Sequence, residues 1–134
     1  MFLKKISLIF IMAVLFVWSP CSSYSKEIDA EVIITEQKGK ILAFSAQESH
    51  WVSENKMLSE KILGKRANGN IAIVFTTKRI LGFSVLTDEW TSEDIKLNET
   101  VEDIDIQGNV ATMKTTFRVI GFSAHTGQWI EAPY

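Results

Sequence analysis

The chain has 134 residues, a formal net charge of −2 and 46% hydrophobic residues. This balance excludes the basic footprint with which proteins bind nucleic acid, so no nucleic-acid partner is expected. The single cysteine, Cys21, lies in the N-terminal segment and excludes an intramolecular disulfide framework. The length is that of one small domain preceded by a targeting segment.

The first predicted element is an export signal at residues 1–25. Lys4 and Lys5 form its positive region, and an uncharged apolar run occupies residues 6–18. The run has 13 residues, fewer than the roughly 20 that a membrane-spanning helix needs. Small residues before the cleavage point place the cut after Ser25.

Cleavage after Ser25 would leave a single mature domain, residues 26–134, that is either periplasmic or secreted. This domain contains no cysteine, so we expect it to be held together by its core or by self-association. An alternative signal would end at Cys21 and anchor the chain through a lipid, although Pro20 is a poor residue before a lipidated cysteine. A membrane is an expected partner only in that case.

The mature chain repeats one segment three times with a period of 39 residues. In each copy a Phe-Ser pair begins seven residues before a tryptophan, at residues 44–51, 83–90 and 122–129. A period in this range marks a repeat architecture. The domain is therefore predicted to contain three copies, at about residues 26–61, 62–100 and 101–134.

Each copy is predicted to form four antiparallel strands. A β-branched run, seen at residues 69–77 and 108–116, forms a hairpin with the strand that ends in the Phe-Ser pair. A third strand opens at the tryptophan, and a fourth leads into the next copy. The hairpin strands are apolar on both faces, which predicts that they are covered on both sides. One strand position holds only small residues, which indicates close approach of a neighbour; these are Ala43, Gly82 and Gly121.

Two architectures have a four-stranded unit near this length. In a β-propeller each repeat would form one blade, whereas in a β-trefoil three repeats would close one barrel. Three copies complete a trefoil, but burial on both faces favours the propeller. We expect an all-β fold of three four-stranded antiparallel repeats forming β-propeller-like blades, with a β-trefoil as the alternative. Three blades fall short of the smallest closed propellers, so a homodimer of six blades is the simplest way to complete the ring.

The segment from Phe83 to Trp90 resembles the end of a kelch repeat, in which an aromatic residue, Asp-Pro, Thr and Trp occur at these intervals. The pattern F-S-x-x-T-x-x-W covers about nine residues of a copy, with Ser84 where kelch repeats usually have Asp, and the kelch glycine doublet is absent. The final copy, at residues 126–129, is also distantly similar to quinoprotein propeller repeats. The resemblance implies kelch-like blades in which the tryptophan packs between neighbours.

Three tryptophans and three cations occupy equivalent positions in the copies and are the candidate ligand-binding residues. They are Trp51, Trp90 and Trp129, and Lys40, Arg79 and Arg118. The tryptophans would stack on sugar rings if they were exposed, or would pack between repeats. The cations would meet an anionic ligand, or would pair with neighbouring acids.

Catalytic and metal-binding patterns do not stand out. His50 and His125 occupy different repeat positions and lack metal-ligand spacing, so no metal and no cofactor is expected. The expected function is an exported, non-enzymatic binding or scaffold module, whose partner is a further copy of itself or another exported protein. The alternatives are a carbohydrate-binding, trefoil-like lectin, and a small periplasmic hydrolase or quinoprotein-like fragment.

Overall fold

A computed structural model describes residues 30–133, which form eleven β-strands in three antiparallel sheets. The predicted signal at residues 1–25 lies outside this described part. No helix that is long and apolar enough to cross a membrane occurs among the described residues.

The three sheets follow one another along the chain, and each is named here as a blade. Blade 1 contains β1 (Val32–Gln37), β2 (Lys40–Ser45) and β3 (His50–Asn55). Blade 2 contains β4 (Ile62–Asn68), β5 (Ile71–Thr76), β6 (Arg79–Ser84) and β7 (Glu89–Asp94). Blade 3 contains β8 (Val101–Gln107), β9 (Val110–Thr115), β10 (Val119–Ser123) and β11 (Gln128–Glu131). In every blade, consecutive strands are neighbours in the sheet.

This order confirms the all-β fold of antiparallel repeat blades. The β-trefoil alternative is wrong, because the sheets of residues 30–133 stay open and do not close into one barrel. Blade 1 differs from the expected four strands, since three of its strands are described. Its fourth strand would fall at residues 23–29 by the period of 39, outside the described residues.

In each copy a tight turn follows the Phe-Ser pair, which lies at the end of the second hairpin strand. The turn ends in a residue with positive φ, and these residues are Ser49, Asp88 and Gly127, with φ of 53°, 59° and 65°. In blade 2, Ser84 Oγ accepts hydrogen bonds from the backbone N–H groups of Leu86 and Thr87, both at 3.2 Å. Serine hydroxyls stabilise turns in this way, which explains a serine at this position.

The core lies between the blades, and burial depends on whether a blade has a neighbour on each side. All six residues of β6 are buried, whereas residues of β9 are exposed and buried in strict alternation. The prediction that hairpin strands are covered on both faces therefore holds for the middle blade. It fails for β9, because no further blade among residues 30–133 covers the outer face of blade 3.

Candidate functional site

The junctions between blades are built around the repeated phenylalanine and tryptophan. In each blade these two residues are direct cross-strand neighbours, and their rings pack at tilted angles with centroids 5.0, 5.3 and 4.8 Å apart. Tilted aromatic pairs of this kind contribute beyond the area that they bury. Each blade therefore carries a preformed aromatic unit, and in blades 2 and 3 this unit points toward the preceding blade.

The tryptophan indole also bonds to the preceding blade. Trp90 Nε1 donates to the carbonyl of Val52 in blade 1 at 3.0 Å. Trp129 Nε1 donates to the carbonyl of Thr91 in blade 2 at 3.1 Å. The structure thus places Trp90 and Trp129 in the blade junctions. Trp51, in blade 1, is 51% exposed.

A small residue in the preceding blade makes room for the aromatic unit. A Cβ added at Gly82 would lie 2.7 Å from the ring of Phe122 and 2.9 Å from that of Trp129. Ala43 takes the same position in blade 1, and it shares a core cluster with Phe83 and Trp90. The sequence prediction of a close approach at these positions is confirmed for Gly82.

We expect Gly82→Ala to lower the free energy of unfolding by about 1–3 kcal/mol, because the new methyl group overpacks the junction between blades 2 and 3. Urea denaturation of residues 26–134, at a concentration where the protein is monomeric, measures this change. Gly121→Ala is the matched control, since its added Cβ would find no atom closer than Ile130 O at 3.8 Å. Equal costs for the two variants would contradict this role of Gly82.

A buried arginine forms the second part of the junction between blades 1 and 2. The guanidinium of Arg79 donates to both carboxylate oxygens of Glu60, at 3.0 and 3.1 Å. It also donates to the carboxylate of Glu54 at 2.9 Å and to the carbonyl of Asn55 at 2.7 Å. Glu60 lies in the loop that joins the blades, so this arginine ties the loop and blade 1 to blade 2. We call this arrangement the arginine clamp.

The same clamp recurs 39 residues later, between blades 2 and 3. Arg118 donates to both carboxylate oxygens of Glu99 at 2.8 and 3.0 Å, to Glu93 at 3.1 Å and to the carbonyl of Asp94 at 2.7 Å. Both carboxylates that receive the bidentate contacts have fully buried side chains. The structure therefore places Arg79 and Arg118 in buried ion pairs between blades.

Ionisation of the clamp glutamates reflects these bonds. Burial alone would raise the pKa of Glu99, but hydrogen bonds from Arg118, from the Lys96 N–H and from Thr115 outweigh it and lower the pKa to about 2. The pKa of Glu60 is lowered by the same balance of burial against hydrogen bonds. Hydrogen bonding to Glu99 is the main reason that the pKa of Arg118 is raised. Both clamps are therefore ionised at neutral pH.

A pH dependence of stability follows. The folded pKa of Glu99 lies below its ordinary value of 4.5, so its contribution is complete above pH 4.5 and is lost as the pH falls toward 2. We expect Glu99→Gln to be less stable at pH 7, and to lose about 3 kcal/mol less than the wild type between pH 4.5 and 2. Urea denaturation across this range tests it. The exposed Glu102→Gln is the control, and parallel curves for the wild type and Glu99→Gln would contradict the assignment.

Blade 1 lacks the clamp. Lys40 takes the arginine position and is exposed, and it forms no ion pair within residues 30–133. In the two clamps, the hydroxyls of Thr76 and Thr115 donate to Glu60 and Glu99 at 2.7 Å, and Gln37 takes their position in blade 1. The position of the clamp glutamate would be residue 21, outside the described part of the chain. The three candidate cations are thus not equivalent in the structure.

Within residues 30–133, blades 1 and 3 each leave one face without a neighbouring blade, and each of these faces carries exposed apolar side chains. The leading face belongs to blade 1 and comprises Ile33, Leu42, Phe44 and Trp51. The trailing face belongs to blade 3 and comprises the apolar Val110, Val119 and Ile130 around Gly121, together with the polar Thr112, Lys114, Asp103 and Asp105. Ile33 is 58% exposed and Ile130 is 66% exposed. Their counterparts in blade 2 at the same repeat positions line the two internal junctions.

Sequence reasoning missed the glutamates of the clamp. Glu54 and Glu60 recur as Glu93 and Glu99 at the same period of 39. Aligning the loops as well as the strands would have found them, because a charged residue retained at the same loop position in two copies indicates a shared contact.

A hydrogen-bond contact between His50 and Asp88 also crosses a junction, and it does not repeat in the next copy. His50 Nε2 lies 2.6 Å from Asp88 Oδ2 and links blade 1 to blade 2. Within residues 30–133 there is no group of three or more His, Cys, Asp or Glu side chains that could hold a metal ion.

Comparisons with family models, with curated proteins and with solved structures found no match to this chain. The fold alone therefore defines the class: within residues 30–133 this is an all-β protein of three antiparallel repeat blades whose two end faces have no neighbouring blade.

Proposed function

We propose that this protein is an exported, non-enzymatic scaffold module that is completed by association of its end faces with a further copy. One observation carries the proposal. The leading face and the apolar part of the trailing face repeat the residue positions that form both internal junctions, yet within residues 30–133 they are left exposed at the two ends of the blade array.

The extent of exposure supports this proposal. Leu81 and Phe83 are fully buried at the junction between blades 1 and 2. Their counterparts Leu42 and Phe44 have the same character on the leading face but are only partly buried. Adjacent apolar side chains on one exposed face indicate an interaction site rather than ordinary surface. A single exposed leucine would not carry this argument.

The composition of the mature domain agrees with a role in assembly. Residues 26–134 contain no cysteine, so an exported domain of this size lacks the disulfides that often stabilise small secreted folds. Burial of the end faces would enlarge the core without them. The kelch resemblance is consistent with this proposal, since its tryptophans pack between blades.

Light scattering on a sizing column tests the proposal with residues 26–134. We expect a mass of about twice that of the monomer, because two copies of three blades reach the range of about four to eight blades in closed propellers. A monomeric mass at all concentrations would overturn self-association. Saccharide binding would then be the next function to examine, and it would rest on the exposed ring of Trp51.

A further inference from the structure

We infer that two copies associate head to tail, with Phe44 and Trp51 of one copy entering the slot at Gly121 of the other. This inference rests on the proposed function and specifies the surface and the orientation of the partner. It defines a closed ring with two identical junctions between copies.

The internal junctions provide the template. At the junction of blades 2 and 3, Phe122 and Trp129 pack over Gly82, and the Trp129 indole bonds to the carbonyl of Thr91. The residues equivalent to Gly82 and Thr91, 39 positions later in the chain, are Gly121 and Ile130 on the trailing face. The aromatic unit without a preceding blade is that of Phe44 and Trp51 on the leading face.

The slot on the trailing face is open. The nearest atoms to a Cβ at Gly121 are the carbonyl oxygens of Ile130 and Ala111, at 3.8 and 4.0 Å, and both belong to blade 3 itself. At Gly82 the same space is filled by two aromatic rings of the next blade. Gly121 therefore keeps the shape of a receiving site that residues 30–133 do not fill.

Polar groups around the slot also match. Between blades 2 and 3, the Asn70 N–H donates to the Gly108 carbonyl at 3.1 Å, and its Nδ2 donates to Asn109 Oδ1 at 2.6 Å. Asn109 occupies the repeat position of Asn70 on the trailing face, and Ala30 and Glu31 occupy the positions of Gly108 and Asn109 on the leading face. In the dimer, Asn109 of one copy would therefore contact the Ala30 carbonyl and the Glu31 carboxylate of the other. An amide nitrogen can donate to a carboxylate as well as to an amide oxygen.

The absence of the clamp at this junction has a physical reason. The clamp glutamate lies in the loop that links one blade to the next, and no such loop joins two separate chains. A buried arginine without its glutamate would be costly, whereas Lys40 stays exposed and solvated. The junction between copies thus keeps the aromatic slot and loses the clamp, so it is expected to dissociate on dilution before the blades unfold.

Ring size selects two copies. One copy supplies three blades, two supply six and three supply nine, whereas closed propellers have about four to eight. Head-to-tail contacts form a closed ring when the rotation between copies returns to the start. The dimer is therefore the closed assembly that this geometry favours.

Two variants with damage on opposite faces test this orientation. Trp51→Ala removes the tryptophan of the aromatic unit and leaves the trailing face intact, while Gly121→Val fills the slot and leaves the leading face intact. Each variant alone is expected to be monomeric by sedimentation velocity. An equal mixture restores one complete junction, so it is expected to form a heterodimer of about twice the monomer mass, more weakly held than the wild-type dimer.

The outcomes separate this inference from the proposed function. A wild-type dimer whose two variants stay monomeric when mixed would overturn the head-to-tail slot but leave self-association in place. Variants that remain dimeric alone would also overturn it, and a monomeric wild type would overturn both. Unfolding midpoints confirm that each variant is folded, and Val119→Lys replaces Gly121→Val if the latter unfolds.

Discussion

Arg118→Met is expected to lower the free energy of unfolding by about 3–5 kcal/mol. The variant leaves the carboxylate of Glu99 buried without its partner, and an uncompensated buried charge costs this much in other proteins. Urea denaturation at pH 7, on protein diluted until it is monomeric, measures the effect. Lys114→Met is the matched control, because Lys114 is exposed and lies 4.0 Å from Glu102, and exposed pairs contribute about 1 kcal/mol or less.

A second variant separates charge burial from simple loss of contacts. Replacing Glu99 with leucine in the Arg118→Met background removes both charges, and apolar replacement of a whole buried pair is often close to neutral. We therefore expect the double variant to be more stable than Arg118→Met alone. A double variant that is less stable than the single one would contradict the account of the clamp, as would a cost for Arg118→Met no larger than that of Lys114→Met.

Trp129→Ala is expected to lower the free energy of unfolding by about 3–5 kcal/mol, the usual cost of truncating a packed aromatic residue. The ring fills the space over Gly82, and its indole bonds to Thr91 of the preceding blade. Thermal and urea denaturation of residues 26–134, diluted until the protein is monomeric, measure the effect.

Trp51→Ala is the control that the chain itself offers for this experiment. Its side chain has the same aromatic partner, with ring centroids 5.0 Å apart, but is half exposed and has no preceding blade. We expect it to cost less than half as much in the monomer. Similar costs for Trp51→Ala and Trp129→Ala would show that the tryptophan stabilises its own blade rather than the junction.

Most of the fold could be predicted from the 39-residue period of the sequence. Three copies with the same spacing of a Phe-Ser pair and a tryptophan predicted the strands, because a strand must alternate its faces and a turn must return the chain at a fixed point. Ser84 and Asp88 show this, since the serine bonds the turn and the residue with positive φ closes it. The sequence does not decide the role of the tryptophan, because the repeat pattern is the same whether its ring is exposed or packed between blades.

Burial of the end blades was not predictable from the pattern alone. Ile80 and Val119 occupy the same repeat position and have similar side chains, yet Ile80 is fully buried and Val119 is 42% exposed. The difference arises from the number of blades, which is a global property of the chain. The arginine clamp was not predicted from the sequence, for a related reason. Glu60 and Arg79 are 19 residues apart in the chain, and they come into contact only when two blades pack together.

The most direct test of the account is a disulfide between copies at Glu31→Cys and Asn109→Cys in the cysteine-free domain of residues 26–134. These positions correspond to Asn70 and Asn109 at the internal junction, whose side chains are in hydrogen-bond contact. After mild oxidation we expect a covalent dimer on a non-reducing gel, with no higher species. A ladder of larger products would indicate an open filament, and a wholly monomeric product, while Asn70→Cys with Asn109→Cys cross-links internally, would contradict the head-to-tail ring.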